Sequence, residues 1–255
     1  MPLPETVHAR RHSLDRVDPQ DRLSVEVRRA TTASHQQIER LLRLPDRLTD
    51  VPALRQVLML WVHLWSDVAV APRPADMAAA PANPDDLPSI AVRALNRLAT
   101  DLQELSEVTP ADSAPDPAVP PVAPVAPGAA WAGGPLSRLR SSVPSRWGVD
   151  YVLRGSLVGV RTLAPAVTRH LRLPEGVGVR YLSAEGEDVV RDWADFQHRL
   201  DAWAADASPE QCQDVVDAAA TTFRTVHEWA LELLGDRAGA QSRDSRPVPR
   251  PRTAS

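Results

Sequence analysis

YVLRGSLVGVRTLAP, residues 151–165, reads as an apolar helix that carries two glycines four positions apart, Gly155 and Gly159. Each glycine inside a helix costs roughly 1 kcal/mol relative to alanine. Two glycines on one face therefore indicate that the backbone is needed bare or bendable there. The sequence leaves three explanations open: a neighbouring helix, a kink, or a flat ligand.

The composition sets the limits for the rest of the chain. With 255 residues, 43% of them hydrophobic, the chain can bury one sizeable core, and we expect one domain. Cys212 is the only cysteine, which excludes an internal disulfide and a cysteine-rich zinc site. The net charge of −4 gives no indication of nucleic acid as the main partner.

The hydropathy pattern bears on location. No apolar run reaches the roughly 20 residues of a membrane-spanning helix, and the first residues, MPLPETVHARRHSLDR, lack the apolar centre of a secretory signal. We therefore expect no membrane span and a cytoplasmic location.

The apolar periodicity predicts six helices and no strand, so the predicted fold class is all-α. Asp50 is suited to cap the second helix, and Ser208 followed by Pro209 is a typical start for the last. The predicted helices cover about residues 21–45, 50–68, 88–105, 145–172, 187–207 and 209–234.

The helices form one predicted domain over residues 21–235. Residues 107–146 contain nine prolines among small residues, so we predict a disordered or polyproline-like insert there. Residues 1–20 are expected to be a flexible N-terminus and residues 236–255 a disordered tail.

His35 is the most informative of the seven histidines. It shares a helical stripe with Thr31, Ile38 and Leu42, which predicts a place on the inward edge of the first helix. Such a residue is either a core histidine satisfied by a hydrogen bond or a metal ligand through one ring nitrogen. Combined with the two-glycine helix, it suggests a histidine and a bare backbone patch on either side of a planar macrocycle.

At these residues the chain resembles the haem oxygenases, particularly their bacterial, biliverdin-producing branch associated with phytochromes. The stretch LSVEVRRATTASHQQIERLLRL, residues 23–44, is similar to the proximal-helix motif of that family, and YVLRGSLVGVRTLA to its distal-helix motif. RYLSAEGEDVVRDWADFQHRLDAW, residues 180–203, and AATTFRTVHEWALELL, residues 219–234, resemble the next helix and the last one. The four motifs occur in the family's order.

The resemblance assigns a role to five residues. It implies a haem-oxygenase-like multi-helix domain in which His35 is the proximal ligand of the haem iron. Arg28 and Arg199 fall where the family binds haem propionates with basic residues. Gly155 and Gly159 match the catalytic glycines of the distal helix, which let that helix bend and approach the ring.

The implied activity is the oxidative cleavage of haem, which is both substrate and cofactor, to biliverdin, carbon monoxide and ferrous iron. O₂ is the oxidant, and the electrons come from a separate ferredoxin or reductase because the chain has no nucleotide-binding glycine loop. A bilin-accepting phytochrome is a further implied partner.

Three positions depart from the family pattern. Val160 stands where many members have a further glycine, and Arg154 replaces the usual acidic residue before the first glycine. Asp195 stands where some members carry a second propionate-binding base. An acid at that position would repel a propionate.

Two alternatives remain open at this point. One is a haem-oxygenase-like protein that binds haem or a bilin without turnover. The other is a non-haem di-iron oxidase that uses Glu39, Asp195 and His198. A thiaminase-like activity would need a catalytic cysteine, and Cys212 lies early in the last helix without an obvious base beside it.

Overall fold

The computed structural model of the chain describes residues 22–69, 87–108, 134–184 and 188–244. These ranges are helical and contain no strand, so the all-α prediction is confirmed. The nine helices in the described ranges are α1 (Leu23–Leu42), α2 (Val51–Ala69), α3 (Leu87–Val108), α4 (Pro135–Leu139), α5 (Val143–Val160), α6 (Ala164–Leu171), α7 (Arg180–Ser183), α8 (Val189–Ala204) and α9 (Pro209–Asp244).

Both predicted capping residues perform that task. The Asp50 carboxylate accepts a hydrogen bond from the Ala53 N–H at 2.7 Å at the start of α2. Ser208 accepts from the Gln211 N–H at 3.3 Å, while the Gln211 side chain accepts from the Ser208 N–H at 2.9 Å. This reciprocal pair is the capping-box arrangement, which satisfies the free donors at the start of α9.

The single helix predicted over residues 145–172 is two helices, α5 and α6, separated by a turn at residues 161–163. Pro165 lies in the first turn of α6 and has no backbone N–H to continue the hydrogen bonds of α5. The Thr162 hydroxyl donates instead to the Gly159 carbonyl at 2.9 Å. The break therefore follows from Pro165. Apolar periodicity alone does not detect the break, so it predicts one continuous helix.

The predicted segment boundaries fall partly outside the described residues. Residues 109–133 of the proline-rich insert lie outside them, as do residues 1–21 and 245–255. The described ends of the insert are helical, since α3 runs to Val108 and α4 and the start of α5 occupy residues 135–139 and 143–146. α9 continues to Asp244, past the predicted domain end at residue 235.

α9 is the helix around which the others are arranged, because α1 and α5 both pack along it. α1 runs parallel to α9. At one end Glu26 of α1 acts on the Cys212 thiol, and at the other Arg47, just beyond α1, donates to the Leu234 carbonyl. α5 approaches α9 at Gly148, where a β-carbon would lie 2.3 Å from the Val215 carbonyl oxygen. A side chain at position 148 would therefore push the two helices apart.

Two apolar clusters hold the domain together. The larger one joins α2 and α3 to parts of α5, α7 and α9, with Trp65 and Leu98 fully buried in it. The smaller one lies where α1, α5, α8 and α9 meet, and Val27, Phe196 and Val215 are at its centre.

A buried carboxylate positions the short helix α7 against α3. The two oxygens of Asp101 accept hydrogen bonds from the backbone N–H groups of Arg180 at 2.8 Å and Tyr181 at 2.9 Å. The Tyr181 hydroxyl in turn accepts from the Trp65 indole N–H at 2.9 Å. Burial raises the pKa of Asp101 from its ordinary value of 3.8 to about 6, although the two backbone donors oppose that shift.

The raised pKa predicts a pH dependence of folding. Because the folded state holds the Asp101 proton more tightly than the unfolded chain, this group favours folding below about pH 4, and that contribution is lost as the pH rises through about 6. Asp101→Asn cannot ionise. The free energy of unfolding of the variant minus that of the wild type should therefore rise by about 2 kcal/mol between pH 4 and pH 7.

Urea unfolding of both proteins at several pH values measures this difference, in which all other titrating groups cancel. A difference that stays constant or falls with pH would show that the backbone donors outweigh the cost of burying the charge.

Candidate functional site

The residues singled out by the sequence lie on α1, α5 and α8, and a small hydrogen-bond network ties these three helices together. The carboxylate of Asp201 on α8 accepts from the Ser24 N–H at 2.8 Å and from the Ser24 hydroxyl at 2.9 Å. The Tyr151 hydroxyl on α5 donates to the Ser24 carbonyl at 3.2 Å. The first turn of α1 is therefore held against both other helices.

An aromatic chain continues this junction along α5 and α8. The ring centroids of Tyr151 and Trp193 are 4.9 Å apart in an edge-on arrangement, and Trp193 stacks on Phe196 at 5.7 Å. Trp147 extends the chain from Phe196 at 5.3 Å to Trp203 at 6.1 Å. These rings fix how α8 lies on α5 and leave the C-terminal half of α5 beside Trp193.

His35 does not lie on the inward edge of α1, as the stripe predicted. Its side chain is 58% exposed, whereas Thr31 on the same stripe is buried. The reason is that α9 covers His35 on one side only, through the Phe223 ring, whose centroid is 5.8 Å from that of the imidazole. The prediction of a core position is therefore wrong, and the reading of His35 as a core histidine does not hold.

The surroundings of His35 suit an imidazole that binds a metal centre. Nδ1 lies 3.6 Å from Oε1 of Glu39, one turn along α1. This separation is longer than a hydrogen bond, and both side chains are mostly exposed, so the contact is weak. The Phe223 ring covers one edge of the imidazole. The exposed imidazole is chemically able to bind a haem iron.

Packing against the other described helices requires neither Gly155 nor Gly159. A β-carbon at Gly155 would lie 3.5 Å from the Trp193 ring, an ordinary contact, and one at Gly159 would have no atom within 4 Å. Helical backbone continues through both positions to Val160, where α5 ends. Among the described residues, the open face at Gly159 leaves room for a ligand to approach the backbone of α5.

The two arginines are exposed, each on one of the joined helices. Burial raises the pKa of Tyr151 to about 12, and the nearby charge of Arg28 acts in the opposite direction. Arg28 therefore lies close to the junction of α1 with α5. Arg199, on α8, makes no hydrogen bond or ion pair with any other described residue. Both cations are thus available to an anionic group, but the described contacts do not join either to His35.

The three residues that depart from the haem-oxygenase pattern, Val160, Arg154 and Asp195, have different surroundings in the structure. Val160 is 4% exposed and packs into the larger apolar cluster, so it does not narrow the open face at Gly159. Arg154 is buried with its guanidinium 5.1 Å above the Phe196 ring. The Asp195 carboxylate is exposed and lies 3.8 Å from Arg191, a cation that offsets its charge.

The geometry of the alternative sites is less favourable. Within the described ranges, no three side chains of His, Cys, Asp or Glu are grouped so that they could hold a metal ion, including Glu39, Asp195 and His198. Burial, with a smaller effect of Glu26, raises the pKa of the Cys212 thiol. A raised pKa reduces the thiolate fraction that a nucleophilic cysteine needs.

Sequence reasoning missed a polar pair in the otherwise apolar α2. Asp67 is 4% exposed and accepts the Leu136 N–H at 2.8 Å, which holds the start of α4, and burial raises its pKa. His63, one turn earlier, lies edge-on to Trp229 at 4.4 Å, and burial lowers its pKa. The spacing of four residues was visible in the sequence, but nothing there showed that α4 and α9 cover this side of α2.

Comparisons with known proteins do not assign the chain to a family. No profile of a known protein family matches the chain, and no curated protein matches it. In the described residues no helix is both long enough and apolar enough to cross a membrane.

Substitution by alanine is expected to have opposite effects on stability at Gly148 and at Gly159, both in α5. Gly148→Ala should lower the free energy of unfolding by about 2 kcal/mol, because its methyl group would collide with the backbone of α9. Gly159→Ala should raise it by about 0.5–1 kcal/mol, because the new methyl group meets open space and alanine favours the helix. Chemical denaturation of the ligand-free protein measures both changes.

A loss of stability in Gly159→Ala would show that a part of the chain packs against this position. In that case the open face would not be available to a ligand.

Proposed function

We propose that the protein is a haem oxygenase, which binds haem between α1 and α5 and cleaves it to biliverdin, carbon monoxide and ferrous iron. The observation that carries this proposal is the combination of an exposed imidazole at His35, with the Glu39 carboxylate 3.6 Å from one ring nitrogen, and an exposed helix face at Gly159 that no described packing explains. The four motifs that resemble the haem oxygenases, in their order along the chain, support it.

In this proposal His35 binds the iron on the side of α1. Glu39, 3.6 Å from Nδ1, would orient the imidazole in the complex and leave the other ring nitrogen to the iron, while Phe223 borders the edge of the ring. Arg28 and Arg199, exposed on helices that meet at the Ser24–Asp201 hydrogen bonds, would pair with the two propionates. The haem would thus be oriented by its iron and by its charged edge.

The other face of the ring would lie against α5 at Gly159, where the bare backbone would let it approach closely. At Gly155, one turn earlier, the Trp193 ring lies 3.5 Å from the position that a β-carbon would take, so Trp193 would border the haem there. Once bound and reduced, the haem iron supplies the O₂ activation that leads to cleavage of the ring.

Protons at this face would come through water, since the hydroxyl groups nearest to the glycines are already engaged. Ser156 donates to the Leu153 carbonyl at 2.7 Å, and Thr162 donates to the Gly159 carbonyl at 2.9 Å. Water that bridges backbone groups makes hydrogen bonds nearly as favourable as direct ones. Ordered water would therefore deliver the protons in this proposal.

The proposed partners follow from the resemblance to the haem oxygenases. The electrons come from a ferredoxin or a separate reductase in the cytoplasm, and O₂ is the co-substrate. A phytochrome that accepts the bilin is the proposed recipient of the product.

A second function, binding of haem or a bilin without turnover, is favoured by one observation. The His35 side chain is 58% exposed, so this face is open to water, whereas oxygenase sites depend on excluding it. A carrier or sensor would tolerate that exposure.

Titration of the purified protein with hemin tests the proposal. The wild type should bind one equivalent with a Soret band typical of histidine ligation, and His35→Ala should lose that band shape. Glu39→Gln should weaken binding by about tenfold, because it removes the charge that orients the ligand. His170→Ala, at an exposed histidine on α6, is the matched control and should bind as the wild type does.

Reduction in air then separates the two functions. Decay of the Soret band into biliverdin absorption, with release of carbon monoxide, identifies the oxygenase, and a stable band identifies the carrier. Equal binding by the wild type and His35→Ala would overturn both.

A further inference from the structure

A cleft lies between α6, the loop that follows it, and α7. It has a volume of about 600 Å³, within the range of small-molecule sites. None of the residues proposed to hold haem lines it. The cleft is therefore a separate feature, and its interpretation does not depend on the haem proposal.

One wall of the cleft is held rigidly. Asp101 fixes the start of α7, as described above, and Glu104 on α3 accepts the Gly178 N–H at 2.9 Å. Glu104 also accepts from Arg180, at 3.0 Å from Nη2 and 3.3 Å from Nε, so the plane of that guanidinium is fixed. Asp101 and Glu104 of α3 thus hold in place the wall of the cleft that α7 and the residues just before it form.

The charges in the cleft are of both signs. Arg169 on α6 and Glu175 in the loop both line it, and neither makes a hydrogen bond or ion pair with any other described residue. The charge of Arg180 is already balanced by Glu104. The cleft therefore presents one cation and one anion that do not neutralise each other, which suits a ligand with one charge of each sign.

The remaining surface suits a small apolar body. Ala164, Pro165 and Val179 contribute aliphatic groups to the lining, and Gly176 adds no side chain. A purely ionic ligand would leave this surface unused. A molecule with two opposite charges next to a short aliphatic group would contact all of it.

We propose that this cleft binds a small zwitterion, namely a free amino acid with an aliphatic side chain. The carboxylate of the ligand pairs with Arg169, its ammonium group with Glu175, and its side chain contacts Ala164, Pro165 and Val179. Because both charged residues are exposed, the complex is weak and depends on the two pairs together.

Nuclear magnetic resonance titration of the full chain, in a buffer without zwitterions, tests this site. The probes are L-leucine, N-acetyl-leucine, which has only the negative charge, and leucine amide, which has only the positive one. We expect saturable shifts of the Gly176, Gly178 and Ser183 amide signals with leucine. The two singly charged probes should still bind, but about tenfold more weakly.

Substitutions then assign the two charges. Arg169→Ala should abolish binding of leucine and of N-acetyl-leucine. Glu175→Gln should weaken leucine about tenfold without affecting N-acetyl-leucine. Arg172→Ala, which removes an exposed arginine at the end of α6 that does not line the cleft, is the matched control and should bind normally.

Three results would overturn the proposal. They are the absence of saturable shifts with leucine, equal affinity for all three probes, and an Arg172→Ala variant as impaired as Arg169→Ala. The dispersion of the amide signals shows in the same spectra that each variant is folded.

Discussion

The close approach of α5 to α9 at Gly148 is the constraint on which the rest of the structure depends. Because position 148 has no side chain, the backbones of the two helices nearly touch, and a β-carbon would lie 2.3 Å from the Val215 oxygen. α1 packs along the same α9, so α1 and α5 become neighbours through their shared partner. The Tyr151–Ser24 hydrogen bond then joins them directly. The proposed haem face is a consequence of this arrangement.

The three glycines of α5 have different surroundings in the structure, although they look alike in the sequence. Gly148 is buried against backbone, Gly155 lies beside an aromatic ring, and Gly159 faces open space. The sequence drew attention to Gly155 and Gly159 and passed over Gly148, which is the one that helix packing requires. A four-residue spacing shows that two positions share a face, but it does not show what that face meets.

The helical class and both capping residues could be predicted because they depend on local patterns. Asp50 and Ser208 act through backbone groups three residues away, so the sequence contains the whole interaction. Asp101 is different, since its partners at Arg180 and Tyr181 are far along the chain. Nothing in the sequence around Asp101 indicates that this carboxylate is buried and holds α7.

The prediction for His35 failed in one respect and remains a prediction in the other. Its stripe is apolar, but α9 covers only one side of the imidazole through Phe223, so the ring is exposed instead of buried. An exposed ring is compatible with the proposed role of His35 as iron ligand. It is not compatible with a buried core histidine satisfied by a hydrogen bond. The sequence could not show this because the exposure depends on how far α9 reaches across α1.

The location of bound hemin tests the central claim most directly. Ferric haem is paramagnetic and broadens the amide signals of nearby residues, so a spectrum of the isotopically labelled full chain with one equivalent of hemin maps its position. The account predicts that signals around His35 on α1 and around Gly155 and Gly159 on α5 disappear, while those of Gly176 and Gly178 remain. Broadening centred elsewhere, or none at one equivalent, would contradict it.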